Sequence, residues 1–375
     1  MHIGLVRRGY SATGGAEAYL KRFAQALRAG GHTYTLFTSA DWPRADWPGE
    51  RIERLPGSSP LAFADALQAA RARVPCDSLF SLERVWTCDA YRAGDGVHRA
   101  WLARRDAVEP FWKRWTRGLN PKHRQLLALE ARLFSPGGAG RIIANCRMVR
   151  DEIVRAYGYP AERISVVYNG LPAAPVADNA LREQARARLG LGTGDLALLF
   201  AGSGWERKGL RTAIDAVARV REAARPVLLV AGRGNPRRYL GGGGRIRFLG
   251  PVREMAACYA AADLFVLPTL YDPFSNACLE ALAAGLPVLT TASNGFSEIL
   301  TPGEEGEVLA NPSDAAGLAR AVEAWSDPTR RAAARPRLRE LAGRFTIEAN
   351  VQATLGVLGY AGKPMVEGHR AHPVF

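Results

Sequence analysis

The chain has 375 residues, of which 47% are hydrophobic and 23% are charged, and its formal net charge is +14. This composition is typical of a globular protein and excludes intrinsic disorder. The length predicts about two domains. The charge points to an anionic partner, which leaves nucleic acid, a membrane surface and phosphorylated small molecules as candidates. Residues 1–170 carry +10 and residues 171–375 carry +4, so most of the excess lies in the first half.

Cysteine usage and hydropathy bear on the expected compartment, on metal binding and on contact with a membrane. The chain holds 5 cysteines, and they are scattered without CxxC spacing or a histidine cluster. We therefore expect reduced thiols of a cytosolic protein and no zinc site. The apolar residues that follow Met1 precede Arg7 and Arg8, the reverse of the order in a signal peptide. No apolar run approaches the roughly 20 residues of a membrane span, so the expected membrane contact is peripheral.

Short β-like runs alternate with amphipathic helices along most of the chain. The predicted strands are residues 2–6, 34–38, 142–145, 164–167, 197–201, 227–231, 245–249, 264–268 and 288–291. The predicted helices are residues 16–29, 147–157, 209–223, 254–261, 276–284 and 315–325. This alternation predicts an α/β fold with parallel sheets in doubly wound domains.

A segment rich in turn-forming residues divides the pattern. Residues 168–180 contain two prolines and a glycine but few periodic apolar positions, which is typical of a linker. We therefore place one domain at residues 1–170 and a second at 171–345. Residues 346–375 form a C-terminal helix and tail, and the glycines and prolines of the tail predict poor order at its end.

Three turns precede helices, and the first two of them contain glycines. The first holds Gly14 and Gly15, the second spans residues 202–209, and the third spans residues 271–280. A helix N-terminus offers free N–H groups and a favourable dipole to a phosphate group. The alternative is an ordinary strand–helix loop, which a lone Gly-Gly pair does not exclude. In the second turn, adjacent cations at Arg207 and Lys208 favour phosphate binding.

The third turn carries two carboxylates. Asp272 lies before the predicted helix and Glu280 about two turns inside it. A carboxylate in an otherwise apolar helix is costly unless it is hydrogen-bonded, and two ribose hydroxyls would satisfy it. The alternative is a glutamate that faces solvent. None of the turns matches GxxxxGK[ST] or the GxGxxG dinucleotide fingerprint, which disfavours an ATPase and a dehydrogenase.

Together these motifs resemble the family 4 glycosyltransferases. The Asp272-x7-Glu280 spacing is similar to the E-x7-E motif of that family, and residues 259–268, 280–289 and 295–298 look like the segments that flank it. The resemblance covers the chain to about residue 345. It implies a GT-B fold, in which two Rossmann-like domains face each other across a cleft. It also implies retaining transfer of a sugar from a nucleotide-sugar donor.

The resemblance assigns roles to the charged residues. Arg207 and Lys208 would neutralise the donor diphosphate, Glu280 would bind the ribose hydroxyls, and Asp272 would hold hydroxyls of the donor sugar. Asp272 is one methylene shorter than the family's glutamate. Five further residues would lie close to the sugar or the diphosphate: Gly14, Gly15, Phe274, Ser275 and Asn276.

Local similarities extend to one group within the family. Residues 89–95, 202–209 and 284–291 resemble the lipopolysaccharide core glucosyltransferases, which use UDP-glucose. This implies a glycolipid or lipopolysaccharide-type acceptor. Asp95 and His98 are our candidates in the first domain for orienting the donor sugar or the acceptor hydroxyl; the alternative for His98 is a surface histidine. No DxD motif is present, so we expect neither a metal nor another cofactor.

Other functions remain open at this point. A different family 4 transferase would carry the same motifs with another sugar or acceptor. A basic protein that binds membranes or nucleic acid without catalysis would explain the charge but not the motif spacing. A GT-B sugar epimerase would need more catalytic carboxylates and histidines than the motifs supply.

Residues 99–132 form a basic aromatic segment with 9 Lys or Arg and 3 acidic residues. Aromatic residues beside cations suit the surface of an anionic membrane, and a solvated helical hairpin is the alternative. Nucleic acid is disfavoured as a partner, because the family resemblance points to a lipid-anchored acceptor. We predict a peripheral location on the inner face of the cytoplasmic membrane. The predicted contacts are Trp101, Arg104, Arg105, Trp112, Lys113, Arg114, Trp115 and Arg117.

Neutralising Lys113, Arg114 and Arg117 is expected to weaken binding to anionic vesicles, because each removed cation lowers the attraction to the lipid headgroups. A vesicle sedimentation assay measures the effect. Binding that stays unchanged in this variant would contradict the proposed membrane contact.

Overall fold

The computed structural model describes residues 1–11, 15–43, 47–49, 51–109, 120–172, 179–239 and 245–359, with only the backbone for Gly15, Ala16 and Ala18. It contains one seven-stranded and one six-stranded sheet. The paired strands of both sheets are parallel, which confirms the predicted α/β class with two doubly wound domains.

The first sheet has the strand order β3-β2-β1-β4-β5-β6-β7. Its strands are β1 (His2–Val6), β2 (Thr33–Thr38), β3 (Arg51–Arg54), β4 (Ser78–Ser81), β5 (Cys88–Arg92), β6 (Ala139–Ala144) and β7 (Ile164–Val166). The helices between them are α1 (Gly15–Ala29), α2 (Pro60–Arg71), α3 (His98–Val108), α4 (Pro121–Leu133) and α5 (Arg147–Tyr157). Helices cover the faces of a parallel sheet, so all four residues of its central strand β4 are buried, including both serines.

The second sheet has the strand order β10-β9-β8-β11-β12-β13. Its strands are β8 (Leu196–Ala201), β9 (Pro226–Ala231), β10 (Ile246–Gly250), β11 (Leu264–Leu267), β12 (Val288–Thr291) and β13 (Gly306–Leu309). The helices are α6 (Asn179–Arg188), α7 (Leu210–Val217), α8 (Met255–Ala261), α9 (Asn276–Ala283), α10 (Ala315–Ala324), α11 (Pro328–Gly343) and α12 (Ile347–Leu358). The order reverses between β8 and β11, where ligands of doubly wound sheets bind at the carboxyl ends of the strands.

Two chain segments cross between the domains side by side. The Leu171 N–H donates to the carbonyl of Phe345, and the Ile347 N–H donates to the carbonyl of Leu171, both at 2.9 Å. A side chain at Gly170 would collide with the backbone of Thr346, so glycine is required there. After this crossing, α12 packs onto the first domain through buried apolar side chains: Ile347, Val351 and Leu355.

Some elements differ from the sequence predictions. The helix predicted over residues 209–223 ends at Val217, and Glu222–Ala224 forms a separate short 3₁₀ helix. The sequence analysis also missed four short strands, β3, β4, β5 and β13. The sequence of β3, Arg-Ile-Glu-Arg, has no apolar run because it lies at the edge of the sheet. Among the described residues, no helix combines the length and apolar character that crossing a bilayer requires.

Candidate functional site

An ion pair joins the second and third turns at the carboxyl end of the second sheet. The ammonium of Lys208 contacts a carboxylate oxygen of Asp272. Both side chains are largely buried, with 12% and 8% of their surface exposed. The predicted donor residues Lys208 and Asp272 are therefore brought together by β8 and β11, although 64 positions separate them in the sequence.

Glycines permit this close approach. Gly209 has a positive φ of 78°, and a side chain there would collide with the carbonyl oxygen of Pro268 at the end of β11. Gly202 has a φ of 140°, and a Cβ at this position would lie 3.3 Å from Cε of Lys208. The lysine side chain therefore passes close over the turn, where a side chain at Gly202 would crowd it and where the positive φ also favours glycine.

The N-terminus of α9 opens next to this ion pair. Among the described residues, the N-cap side chain of Ser275 makes no capping bond, and its buried hydroxyl oxygen has no hydrogen-bond partner. Ser275 is only 2% exposed. An unpaired buried hydroxyl costs free energy, and a bound group would remove that cost. Asn169, from the crossing segment, donates to the side-chain oxygen of Asn276 at 2.7 Å and positions the first residue of the helix.

Glu280 lies on the face of α9 that looks toward α8. Its carboxylate accepts a hydrogen bond of 2.8 Å from the Tyr259 hydroxyl. Burial raises the pKa of Glu280, and the Tyr259 hydrogen bond and the positive charge of Arg22 on α1 act in the opposite direction. The remaining acceptor capacity of the carboxylate is available for hydroxyl donors such as those of a ribose.

Arg207 contacts the residue before Asp272 and also faces a cavity. Its guanidinium donates to the carbonyl oxygen of Tyr271 at 2.8 Å, and it lines a neighbouring cavity together with Trp101 and Arg105. Its contact with a donor diphosphate stays a prediction. Phe274 is buried, and its ring packs edge-on against Phe296.

The first domain presents a charged cluster at the carboxyl ends of its central strands. Arg7, which follows β1, lies 3.0 Å from both Glu17 and Glu83. Asp95 follows β5, is 57% exposed and lies 4.0 Å from Arg7. Gly15 begins α1 at this edge, whereas Gly14 lies outside the described residues. The exposed carboxylate of Asp95 is therefore available at the edge that carries the start of α1.

The His98 ring turns toward α4. Its Nε2 lies 2.9 Å from Nδ1 of His123, a hydrogen-bond distance. Burial lowers the pKa of His98 to about 4, and the positive charge of Arg84 adds to that effect. The imidazole is therefore neutral at physiological pH. A role for His98 toward the donor sugar or the acceptor stays a prediction.

The sequence analysis missed Glu130, which organises this part of the first domain. Its fully buried carboxylate accepts hydrogen bonds from the backbone N–H groups of His98 and Arg99, at 2.5 and 3.1 Å, and thereby caps α3. It also pairs with Arg84 at 2.8 Å and accepts from the Tyr157 hydroxyl at 2.8 Å. From the sequence, a glutamate in a basic helix is expected to face solvent, so no local signal identified Glu130 as a buried residue.

Tyr271 connects the two domains immediately before Asp272. Its buried hydroxyl accepts from the N–H of Val97 and donates to Glu152 on α5, both at 2.8 Å. Burial raises the pKa of Glu152, an effect that the neighbouring Arg104 and the Tyr271 hydroxyl oppose. A side chain at Gly96 would collide with this hydroxyl.

A second carboxylate crosses the cleft at α5. Glu298 accepts from the backbone N–H groups of Arg147 and Met148, at 2.8 and 2.6 Å, and from the Tyr168 hydroxyl at 3.0 Å. It caps α5 of the opposite domain, so the N-terminus of this helix is already neutralised.

Two of the predicted membrane residues contact the second domain. The Trp101 ring stacks on Tyr271 with centroids 6.2 Å apart, and Arg104 pairs with Glu152 and covers the Tyr271 ring at 4.8 Å. Arg105 pairs with Glu109 at 2.6 Å. The other predicted contacts lie outside the described residues: Trp112, Lys113, Arg114, Trp115 and Arg117. Membrane contact stays a prediction.

Within the described part of the chain, no three metal-ligating side chains converge on one point. The expectation that no metal is required rests on the family resemblance. The lack of a metal-ligating cluster does not test it.

Two family models match the chain. Residues 14–170 match the glycosyl transferase 4-like domain, and residues 195–327 match the glycosyl transferases group 1. These matches correspond to the first and second sheets with their helices.

Relatives match over most of their length. A probable transglycosylase of Burkholderia thailandensis is 30% identical over 331 residues, which is 85% of this chain and 84% of the relative. The lipopolysaccharide glucosyltransferase WaaG of Escherichia coli is 25% identical over 81% of this chain and 83% of that protein.

Solved structures share the two-domain arrangement. A crystal structure of WaaG aligns with a TM-score of 0.81 at 23% identity, covering 95% of this chain and all of that one. The Anabaena protein HepE, solved with UDP-glucose, aligns with a TM-score of 0.73 at 19% identity, over 96% of this chain and 99% of that one. From its fold, its family matches and its relatives, the chain belongs to the GT-B glycosyltransferases with group 1 and 4-like domains.

Proposed function

We propose that this glycosyltransferase moves a hexose, glucose from UDP-glucose, with retention of configuration to a lipopolysaccharide core or related glycolipid. The observation that carries the donor site is the open N-terminus of α9 with the unpartnered Ser275 hydroxyl, next to the Lys208–Asp272 pair. Similarity to a lipopolysaccharide glucosyltransferase supports the choice of glucose and of the acceptor class.

The donor diphosphate would lie against the first turn of α9. The N–H groups there and the Ser275 hydroxyl are donors, and Lys208 supplies a full positive charge. An anion at this position gains from the helix dipole as well as from hydrogen bonds. The N-termini of α3 and α5 are less suitable, because Glu130 and Glu298 already cap them.

The carboxylates would position the remaining parts of the donor. Glu280 projects from the same helix and would accept hydrogen bonds from the ribose hydroxyls. Asp272 would accept from hydroxyls of the transferred sugar. The ion pair with Lys208 holds the Asp272 carboxylate in place at the end of β11.

Catalysis follows from where charge develops. As the bond between the sugar and the β-phosphate breaks, negative charge grows on the leaving phosphate oxygen. Lys208 and the α9 N–H groups are fixed in position, so they stabilise this charge more strongly than the ground state. In front-face attack the leaving phosphate accepts the acceptor proton, and retention then needs no protein nucleophile.

Replacing Asp272 by Ala is expected to lower the turnover of UDP-glucose by about 100-fold or more, because the variant loses the group that orients the sugar and the partner of Lys208. Release of UDP in a coupled assay measures this. The wild-type enzyme should turn over UDP-glucose faster than GDP-mannose or ADP-glucose.

Glu162→Ala is the matched control, because it removes an exposed carboxylate that is remote from the cleft and should leave turnover unchanged. Turnover by Asp272→Ala at the wild-type rate would contradict the assignment of the motif. A preference for a GDP sugar would overturn the choice of donor while leaving the fold and family intact.

Acid should weaken donor binding through Glu280. Its raised pKa means that protonation begins at a higher pH than for an ordinary glutamate, and a protonated carboxyl loses charge and acceptor capacity toward the ribose. Calorimetry with UDP-glucose, whose diphosphate stays ionised between neutral pH and the ordinary pKa of a glutamate, should show affinity falling as the pH is lowered through this range.

The Glu280→Gln variant should bind UDP-glucose about tenfold more weakly at neutral pH and show little dependence on pH. The affinities of the wild-type protein and of Glu280→Gln for UDP-glucose should therefore converge as the pH falls. A ratio of affinities that stays constant across this range would exclude Glu280 as the group that titrates.

A further inference from the structure

A cavity beside the donor site is lined by residues to which the proposed mechanism gives no role. It has a volume of about 570 Å³ and lies between α3 of the first domain and the turns that follow β8 and β9 of the second. Its volume falls in the range of small-molecule sites. Its aromatic lining consists of Trp101, Trp205 and Tyr239.

The lining is closely packed on the side of the second domain. The Trp205 ring is 3% exposed and packs against Tyr239 and Phe248, with centroid distances of 5.8 and 5.4 Å. The indole N–H of Trp205 donates to the carbonyl of Gly202 at 3.1 Å. A side chain at Gly234 would collide with this ring, so the backbone of the turn after β9 lies directly on the indole.

Positive charge dominates the described lining. Five guanidinium groups face the cavity: Arg105, Arg207, Arg211, Arg233 and Arg238. The two described carboxylates are those of Glu109 and Glu206, and Glu109 already pairs with Arg105 at 2.6 Å. Cations gathered around one cavity repel one another, and a bound anion relieves that repulsion.

Within the described part of the chain, most of these guanidinium groups have no acidic partner. Arg207 and Arg211 donate to the backbone carbonyls of Tyr271 and Arg238, at 2.8 and 2.7 Å. Within the described ranges, no carboxylate pairs with Arg233 or Arg238. Their planar groups are therefore available for bidentate hydrogen bonds to a phosphate or a carboxylate.

The cavity lies next to the proposed site of sugar transfer, but Lys208, the cation of that site, does not line it. Arg207 faces the cavity, whereas the next residue, Lys208, pairs with Asp272. Leu270 also lines the cavity, two positions before Asp272. A ligand here would contact both domains, with α3 on one side and the donor-binding domain on the other. That position suits the molecule that receives the sugar.

We propose that this arginine-lined cavity binds a phosphate or carboxylate group carried by a sugar of the acceptor. Arg233 and Arg238 contact the anion, and the rings of Trp101 and Tyr239 form apolar walls for the sugar. The assignment of the ligand as acceptor rests on the proposed function, whereas binding of an anionic sugar does not. The two sources of the anion, a sugar phosphate and a uronate, are separated by the test.

Calorimetric titration of the full-length protein with glucose 6-phosphate, glucuronate and glucose tests the proposal directly. We expect at least one anionic sugar to bind about tenfold or more tightly than glucose. The Arg233→Ala/Arg238→Ala variant should lose this preference. Lys208→Ala should keep it, because that lysine belongs to the donor site. Binding of glucose 6-phosphate alone identifies a phosphate subsite, and binding of glucuronate alone identifies a carboxylate subsite.

Arg237→Ala/Arg188→Ala is the matched control. It removes two exposed arginines that do not line the cavity, so the net charge changes equally. Equal weakening in this control, or anionic-sugar binding that Lys208→Ala abolishes, would overturn the proposal. So would glucose binding as tightly as both anionic sugars. If the protein did not turn over UDP-glucose, the proposed function would be contradicted. The calorimetric test of anionic-sugar binding would still stand, because it does not depend on turnover.

Discussion

The Tyr271 hydroxyl holds the two domains together at the residue that precedes Asp272. It is buried and uses both its hydrogen-bonding functions across the cleft, toward Val97 and Glu152. Removing either contact would leave a buried polar group unsatisfied, which costs free energy. Because Asp272 follows directly in the chain, this contact also sets where the second domain presents its carboxylate to the first. Gly96 and Gly209 complete the arrangement by letting backbones approach where a side chain would collide.

Three helix N-termini lie at the cleft, and they differ in whether a carboxylate caps them. An anion is expected to bind at the N-terminus that has no such cap. Glu130 caps α3, and Glu298 caps α5 from the opposite domain. Both caps are carboxylates, so these helix ends are already neutralised. At α9 the described side chains leave the first turn uncapped and the Ser275 hydroxyl unpartnered, with Lys208 next to it. A donor diphosphate fits this end of the sheet for electrostatic reasons, independently of the family resemblance.

The sequence predicted the two parallel sheets, because hydrophobic periodicity is a local property. It also predicted the turns that hold Lys208, Asp272 and Glu280, because each carries a local spacing. It did not predict the partners of Glu130 and Glu298, which lie 32 and 151 positions away in the chain. Periodicity could not reveal that His98 turns to His123, or that Trp101 and Arg104 lie on Tyr271. These outcomes depend on tertiary packing, and the short polar edge strand β3 was missed for the same reason.

The central claim is that the second domain holds a nucleotide-sugar donor at the start of α9. A crystal structure of the protein soaked with UDP-glucose tests it most directly. The account predicts the diphosphate at the N–H groups of Asn276 and Ala277 within hydrogen-bond distance of Lys208, and the ribose hydroxyls on Glu280. Density for the diphosphate at α3 or α5, or in the arginine-lined cavity with α9 left free, would contradict it.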